Sequence, residues 1–167
     1  MEVQIRAGGS AEDVNTVVRL HAEVYENEYG LEPSFAAEIA VQLAELRRSG
    51  WPEPSGGLWV AEVDGRPVGT VILYDVGGGI GRLADLVVAP EARGSGTGRR
   101  LVEVVLDAAR TAGYKRLELA TFSDLSAARS LYLSVGFEKV SGEHTVRWGR
   151  PMEWERYELV LPPDAPL

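Results

Sequence analysis

Apolar positions along the chain alternate in some stretches and recur at helical spacing in others. Residues 3–6 alternate and predict a first strand. Ser10 follows as a helix N-cap, and Asp13 adds acid to the first turn. Val14, Val17, Val18, Leu20, His21 and Val24 then repeat at helical spacing to about Tyr29. A second helix restarts at Pro33-Ser34, carried by Phe35, Ile39, Leu43 and Leu46. Residues 49–57, SGWPEPSGG, have clustered prolines and glycines without a period and predict a loop.

Two alternating strands, 58–63 and 67–74, flank Asp64-Gly65, a strong hairpin turn. GGGIG at 77–81 turns the chain again into a strand at 82–88, whose LADLVV end reads as buried on both faces. Pro90 ends it. A helix is predicted over 97–112, with Leu101, Val104, Val105, Ala108 and Ala112 on its apolar face and Gly113 as its stop. A strand at 117–122, a helix opened by Ser123-Asp124 and filled to Val135, and strands at 137–142 and 157–161 complete the order. PPDAPL reads as a tail. The fold class is α/β (α+β), a mixed sheet with helices on its faces. No repeat or linker divides residues 1–167, so one domain is expected.

Composition narrows the function. Hydrophobic content of 45% and charged content of 25% describe a folded chain. The net charge of −8 argues against nucleic acid as a partner; it suits a cationic amine, or serves only solubility. No apolar run approaches membrane-spanning length, and the N-terminus lacks a signal-peptide layout, so no membrane partner and a cytoplasmic location are expected. There is no cysteine, which excludes a disulfide framework, a thiolate metal site and an acetyl-cysteine intermediate. No metal is expected.

The candidate chemistry centres on ARGSGTGRRL, residues 92–101. Its glycines lie between a strand and a helix N-terminus, where bare amides and the helix dipole make an anion cradle, flanked by Arg93, Arg99 and Arg100. A P-loop is ruled out because Arg99-Arg100, not Lys followed by Ser or Thr, follows Gly98. A dinucleotide fingerprint is ruled out because its third glycine falls on Arg99 or Leu101.

LVVAPEARGSGTGRRL resembles motif A of the GNAT acetyltransferases: Arg or Gln, two residues, Gly, one residue, then Gly or Ala, met by Arg93, Gly96 and Gly98. AARSLYLSVGF, residues 127–137, resembles the family's motif B. HAEVYENEYGL, WVAEVDGRPVGT and HTVRWGRPMEWERYELVL look like the acetyltransferase half of fusions with winged-helix regulators. The resemblance implies a mainly antiparallel sheet of six to seven strands with a central V-shaped splay and about four helices. It implies acetyl-CoA as cosubstrate, with its pyrophosphate on the loop of Gly94, Ser95, Gly96, Thr97, Gly98 and Arg99, beside Arg93. Its pantetheine arm is implied to lie along Leu86, Val87 and Val88.

The family places a general acid at Tyr132; packing on an amphipathic helix face is the other reading. Many members carry an Asn where this chain has Leu125, a contact that Ser126 or Ser130 can replace. That departure keeps a second function open, a non-catalytic acetyl-CoA sensor or interaction module. Asp85, a carboxylate inside a buried strand, is the favoured general base. His21 reads as a core histidine. Glu26, Glu28 and Tyr29 either bind the acceptor amine or form a solvated helix end. Trp148, Trp154 and Tyr157 either line a homodimer interface or close the core. The expected function is direct acetyl transfer to a small-molecule or protein amine within a ternary complex.

Overall fold

The computed structural model describes residues 2–163. The order is β1 (Gln4–Gly8), α1 (Ala11–Tyr29), α2 (Ser34–Arg48), β2 (Gly57–Val63), β3 (Arg66–Gly77), β4 (Ile80–Val88), α3 (Thr97–Ala112), β5 (Arg116–Phe122), α4 (Ser126–Ser134), β6 (Glu138–Arg147) and β7 (Arg150–Val160), with a 3-10 turn at Pro90–Ala92. The seven strands form one mixed sheet in the order β1-β2-β3-β4-β5-β7-β6. Every neighbouring pair is antiparallel except β4 and β5.

Strand alternation sorts the core onto two faces. Leu58, Val60 and Ile72 meet Val17 of α1 and Ile39 and Leu43 of α2. Ala61, Val63, Val71 and Leu73 belong instead to the larger cluster with Leu101, Val102, Val105 and Ala109 of α3. The buried face of α3 is thus rotated from the expected one: Val104 and Ala108 are half-buried and Ala112 is exposed, while Val102, Leu106 and Ala109 face the sheet.

The start of α1 is fixed by side chains. Ser10 Oγ accepts the Asp13 amide at 3.1 Å, and Asp13 Oδ2 accepts the Gly9 and Ser10 amides at 3.0 and 3.3 Å. Arg6 Nη2 adds a 2.7 Å bond to Asp13 Oδ1, tying β1 to the cap. That bond, ahead of the opposing effect of burial, holds the Asp13 carboxyl well below the usual carboxylate range.

Three expectations are corrected. The last two strands run over Glu138–Arg147 and Arg150–Val160, far longer than 137–142 and 157–161. They are joined by Trp148 (φ 51°) and Gly149 (φ 78°), the two-residue turn with both φ positive that Asp64 and Gly65 also form. Helix α4 begins at Ser126, not at Ser123-Asp124, because Leu125 is in a non-helical conformation (φ −79°, ψ 63°). The LADLVV end of β4 is not buried on both faces: Leu83 and Val87 are buried, while Ala84, Asp85, Leu86 and Val88 are half-buried because the strand borders an opening. Residues 164–167 of the expected tail lie outside the described residues.

Candidate functional site

The opening is the splay. β4 and β5 pair at Ile80↔Arg116, Gly81↔Leu117 and Arg82↔Glu118, and no further. Beyond that rung β4 continues to Val88 against β3 alone, so its other edge has no strand partner. A β-bulge marks the same stretch: Ile72 faces Ala84 and Thr70 faces Val87, which sets Asp85 and Leu86 opposite Val71. Asp85 takes φ 51°, and its carbonyl is held by Thr70 Oγ1 at 3.2 Å.

Two cavities meet at the splay and share Tyr25, Leu86, Leu125 and Ala128. The first, about 370 Å³, runs from Leu86, Val87 and Val88 to Gly94, Gly96, Thr97 and Gly98, with Ser126 and Leu131 of α4 opposite. Gly94 and Gly96 have φ 77° and 79°, and a β-carbon on either would enter open space. Ser95 Oγ bonds the Ala92 carbonyl at 2.5 Å and Thr97 Oγ1 at 2.8 Å, so these two side chains brace the loop and leave its backbone to face a ligand. No side chain caps α3 at Gly96, and its first amides can serve an anion. These features fit a diphosphate with an amide-bearing arm.

The arginines divide their work. Arg93 Nε lies 3.3 Å from the Val88 carbonyl, and its Nη1 lies 2.8 Å from the Glu28 carboxylate. Arg99 bonds Ser134 Oγ at 2.8 Å, joining α3 to α4. Arg100 turns away from the loop to the Val3 carbonyl at 2.7 Å.

The second cavity, about 260 Å³, is lined by Tyr132, Asp85, His21, Thr121, Phe35, Phe122 and Trp154, among others. Asp85 Oδ2 and Thr121 Oγ1 are buried without a hydrogen-bond partner. Burial alone pushes the Asp85 carboxyl up to about 7. Tyr132 is 6% exposed and also raised by burial, so its hydroxyl keeps its proton. Burial lowers His21 to about 4 despite its 2.7 Å contact with the Val17 carbonyl. It is therefore a neutral ring donating from Nδ1, stacked on Tyr25 at 5.5 Å.

The structure brings Tyr132 and Asp85 to one cavity, and Leu86, Val87, Val88, Arg93 and the glycine loop to the other. Ser126 lines the loop-side cavity, whereas Ser130 is exposed and lines neither. Tyr29 borders the loop-side cavity, Glu28 is engaged by Arg93, and Glu26 lines neither cavity. Trp148, Trp154 and Tyr157 pack against the chain's own core. Tyr25 and Thr121 were not legible as site residues: the helical period explains the first and strand alternation the second. Tyr25 stands where the cavities meet, its hydroxyl 3.4 Å from the Leu86 carbonyl.

Among the described residues no helix is long and apolar enough to cross a membrane, and no cluster of three or more His, Asp or Glu is arranged to hold a metal.

Comparison with known proteins gives the same fold and a family. The chain is similar in structure to a ribosomal-protein-alanine N-acetyltransferase from Brucella melitensis, with TM-score 0.74 and 22% identity over 95% of this chain and 99% of that one. It is also similar to an acetyltransferase, yncA, from Salmonella typhimurium, solved with its cofactor acetyl-CoA, with TM-score 0.72 and 19% identity over 100% and 98%. At these identities the likeness is one of fold. In sequence it is 37% identical to mouse N-acetyltransferase 8 over 113 residues, 65% of this chain and 49% of that protein. It is 38% identical to YobR of Bacillus subtilis over 77 residues, 46% of this chain and 30% of that one. The chain thus spans about half or less of the length of these two relatives. The family model for acetyltransferase (GNAT) proteins matches residues 15–137. A match over most of the sequence, on a sheet splayed beside a glycine loop, places the chain in the GNAT acetyltransferase family.

Proposed function

We propose that this chain is an acetyl-CoA-dependent N-acetyltransferase that acetylates a primary amine directly, in a ternary complex. One observation carries the reading: the unpaired β4 edge leads from the glycine loop to an unpartnered Asp85 carboxylate, through two cavities that touch. Acetyl-CoA, when bound, supplies an acetyl group activated as a thioester. Loop amides from residue 94 to residue 99 hold its diphosphate, and the backbone of Leu86, Val87 and Val88 offers N–H and C=O groups to its amide arm.

Asp85 accepts the proton that the amine must lose, directly or through a water, and its pKa of about 7 suits a base working near neutrality. As the amine nitrogen bonds the acetyl carbon, the carbon–sulfur bond breaks. Tyr132, held as a neutral phenol, donates a hydrogen bond to the departing sulfur. With no cysteine in the chain, no acetyl-cysteine intermediate can form, which supports direct transfer with both substrates bound together.

Initial rates at varied acetyl-CoA and amine test this: intersecting double-reciprocal lines are expected, and parallel lines overturn direct transfer. Leu125, which borders both cavities, is the observation that favours the sensor reading. Acetyl-CoA binding without thiol release from any amine would establish it. The placement near the winged-helix fusions rests on sequence resemblance alone, in segments that fall in α1, the β2–β3 hairpin and the β6–β7 hairpin. A cytoplasmic setting and a homodimer belong to the same proposal. The dimer is supported by the exposed edge strand β6, where Val140 and Val146 are 50% and 70% exposed.

A further inference from the structure

Among the residues lining the acceptor cavity, the one carboxyl and the one guanidinium are those of Asp85 and Arg82, three positions apart on β4. Asp85 Oδ2 has no partner in the protein. Arg82 is paired with Glu118, but Glu118 also takes Arg156 at 3.5 Å. Glu118 is thus divided between two guanidiniums, and Arg82, the one of them that lines the cavity, also reaches the Tyr74 hydroxyl.

Neighbouring groups point the same way. Gln42 Nε2 and Arg82 Nη1 lie 3.3 and 3.4 Å from the Tyr74 hydroxyl oxygen. That oxygen accepts from both, which leaves the phenolic proton free to donate. The Arg82 end is therefore rich in donors, and the Asp85 end presents an acceptor, with Thr121 Oγ1 also unpartnered beside the cavity. Phe35, Leu119, Phe122 and Trp154 supply apolar wall.

We propose that the acceptor is a small zwitterion, with its ammonium at Asp85 and Thr121 and a carboxylate at Arg82 and Tyr74. This rests on the acetyltransferase reading of the cavity. Three strand residues cover roughly 10 Å, and side chains reaching inward leave about 6–10 Å between the ligand's charges. An extended chain advances about 1.2 Å per bond, so the two groups stand roughly five to eight bonds apart.

The spacing also excludes rivals. An α-amino acid would bring its carboxylate against Asp85, a like-charge contact. A polyamine would leave a second ammonium facing Arg82. A plain alkylamine would leave the donors of Arg82 and Tyr74 unanswered.

The test uses 6-aminohexanoate, hexylamine and glycine as acceptors, read by CoA thiol release and by calorimetric titration into the protein saturated with CoA. We expect kcat/KM for 6-aminohexanoate to exceed that for each of the others by about ten- to a hundred-fold, the scale of a charge-assisted hydrogen bond. Arg82→Gln should cut the preference over hexylamine at least ten-fold, and Arg82→Lys should retain part of it. If Arg82→Gln fails to fold with Glu118 stranded, Tyr74→Phe reads the same end, with a several-fold loss of preference. Equal or better use of hexylamine or glycine by the unsubstituted protein overturns the zwitterion and leaves the transferase standing. Heat from 6-aminohexanoate alone, with no thiol release from any amine tried, keeps the zwitterion site and favours the sensor over the transferase. Neither heat nor turnover with 6-aminohexanoate overturns the inference.

Discussion

Asp85 and Thr121 stand on opposite arms of the splayed sheet, each three residues past the last paired rung, Arg82↔Glu118. Each has a buried oxygen with no protein partner, and both border one cavity. The strands diverge beyond that rung, and the bulge at Asp85 re-aims its side chain so that both residues line the opening between them. Unanswered polar groups are costly in a core, and this pair is the feature on which the proposed acceptor site rests.

Asp85→Asn should lower kcat about a hundred-fold or more, the usual scale for a general base. The rise of kcat/KM with pH near 7 should disappear with it. Stability should move the other way. The folded carboxyl titrates near 7 against about 3.9 unfolded, so the native state holds the extra proton between those values and loses stability as pH rises through them. The asparagine variant escapes that cost. Urea melts should show it more stable than the parent by about 2–4 kcal/mol at pH 8, with little difference at pH 4.

Tyr132→Phe should reduce turnover about ten- to a hundred-fold while leaving the calorimetric Kd for acetyl-CoA within about three-fold. Tyr132 packs edge-on against Phe137 at 5.9 Å, a contact that phenylalanine keeps, so the fold should survive. Unchanged turnover would remove Tyr132 from the chemistry.

Gly96 and Gly98 should differ sharply. Gly96→Val forces a β-branched residue to φ 79° and puts a side chain into the loop-side cavity; CoA affinity should fall at least ten-fold. At Gly98 an added β-carbon would lie 3.5 Å from Leu131 Cδ2, an ordinary contact, so Gly98→Ala should bind CoA within about three-fold of the parent. Titration of each variant with CoA decides both.

Asp13→Ala removes the acceptor for two backbone amides and Arg6, and should cost about 2–3 kcal/mol in urea unfolding at pH 7. Its folded pKa lies below the unfolded value, so the contribution is full above about pH 4 and is lost as pH falls further. The gap between variant and parent should close in acid.

Much of this was legible because local chemistry and tertiary demand agreed. Ser10 and Asp13 cap α1, Asp64-Gly65 turns β2 into β3, and helix α3 spans Thr97–Ala112 as its pattern and Gly113 predict. The β6–β7 hairpin was truncated because β6 is an edge strand with almost no buried side chain, which leaves no alternation to detect, and because its turn sets Trp148 at a positive φ. The bulge at Asp85 was invisible for a related reason: nothing in LADLVV announces an extra residue. Among site residues, the glycine loop showed itself through composition. Tyr25, Thr121 and the Gln42–Tyr74–Arg82 group needed three-dimensional neighbours, since each alone fits an ordinary helix or strand.

The tip of the β6–β7 hairpin is fastened to the joint between α1 and α2. Trp148 Nε1 donates to Glu38 at 3.0 Å, and the Trp148 carbonyl accepts the Glu32 amide at 2.9 Å. Phe35 and Gln42 on one side of that clasp, and Trp154 on the other, wall the second cavity, the proposed amine chamber, while the glycine loop lines the adjoining one. In the proposed reading the two substrates meet on β4, which carries Arg82 and Asp85 toward one and Leu86, Val87 and Val88 toward the other, and the clasp shapes the far wall. On that reading, changes at Phe35, Gln42 or Trp154 would reshape the room for a recipient while leaving residues 94–98 untouched, because none of the three lines the loop-side cavity.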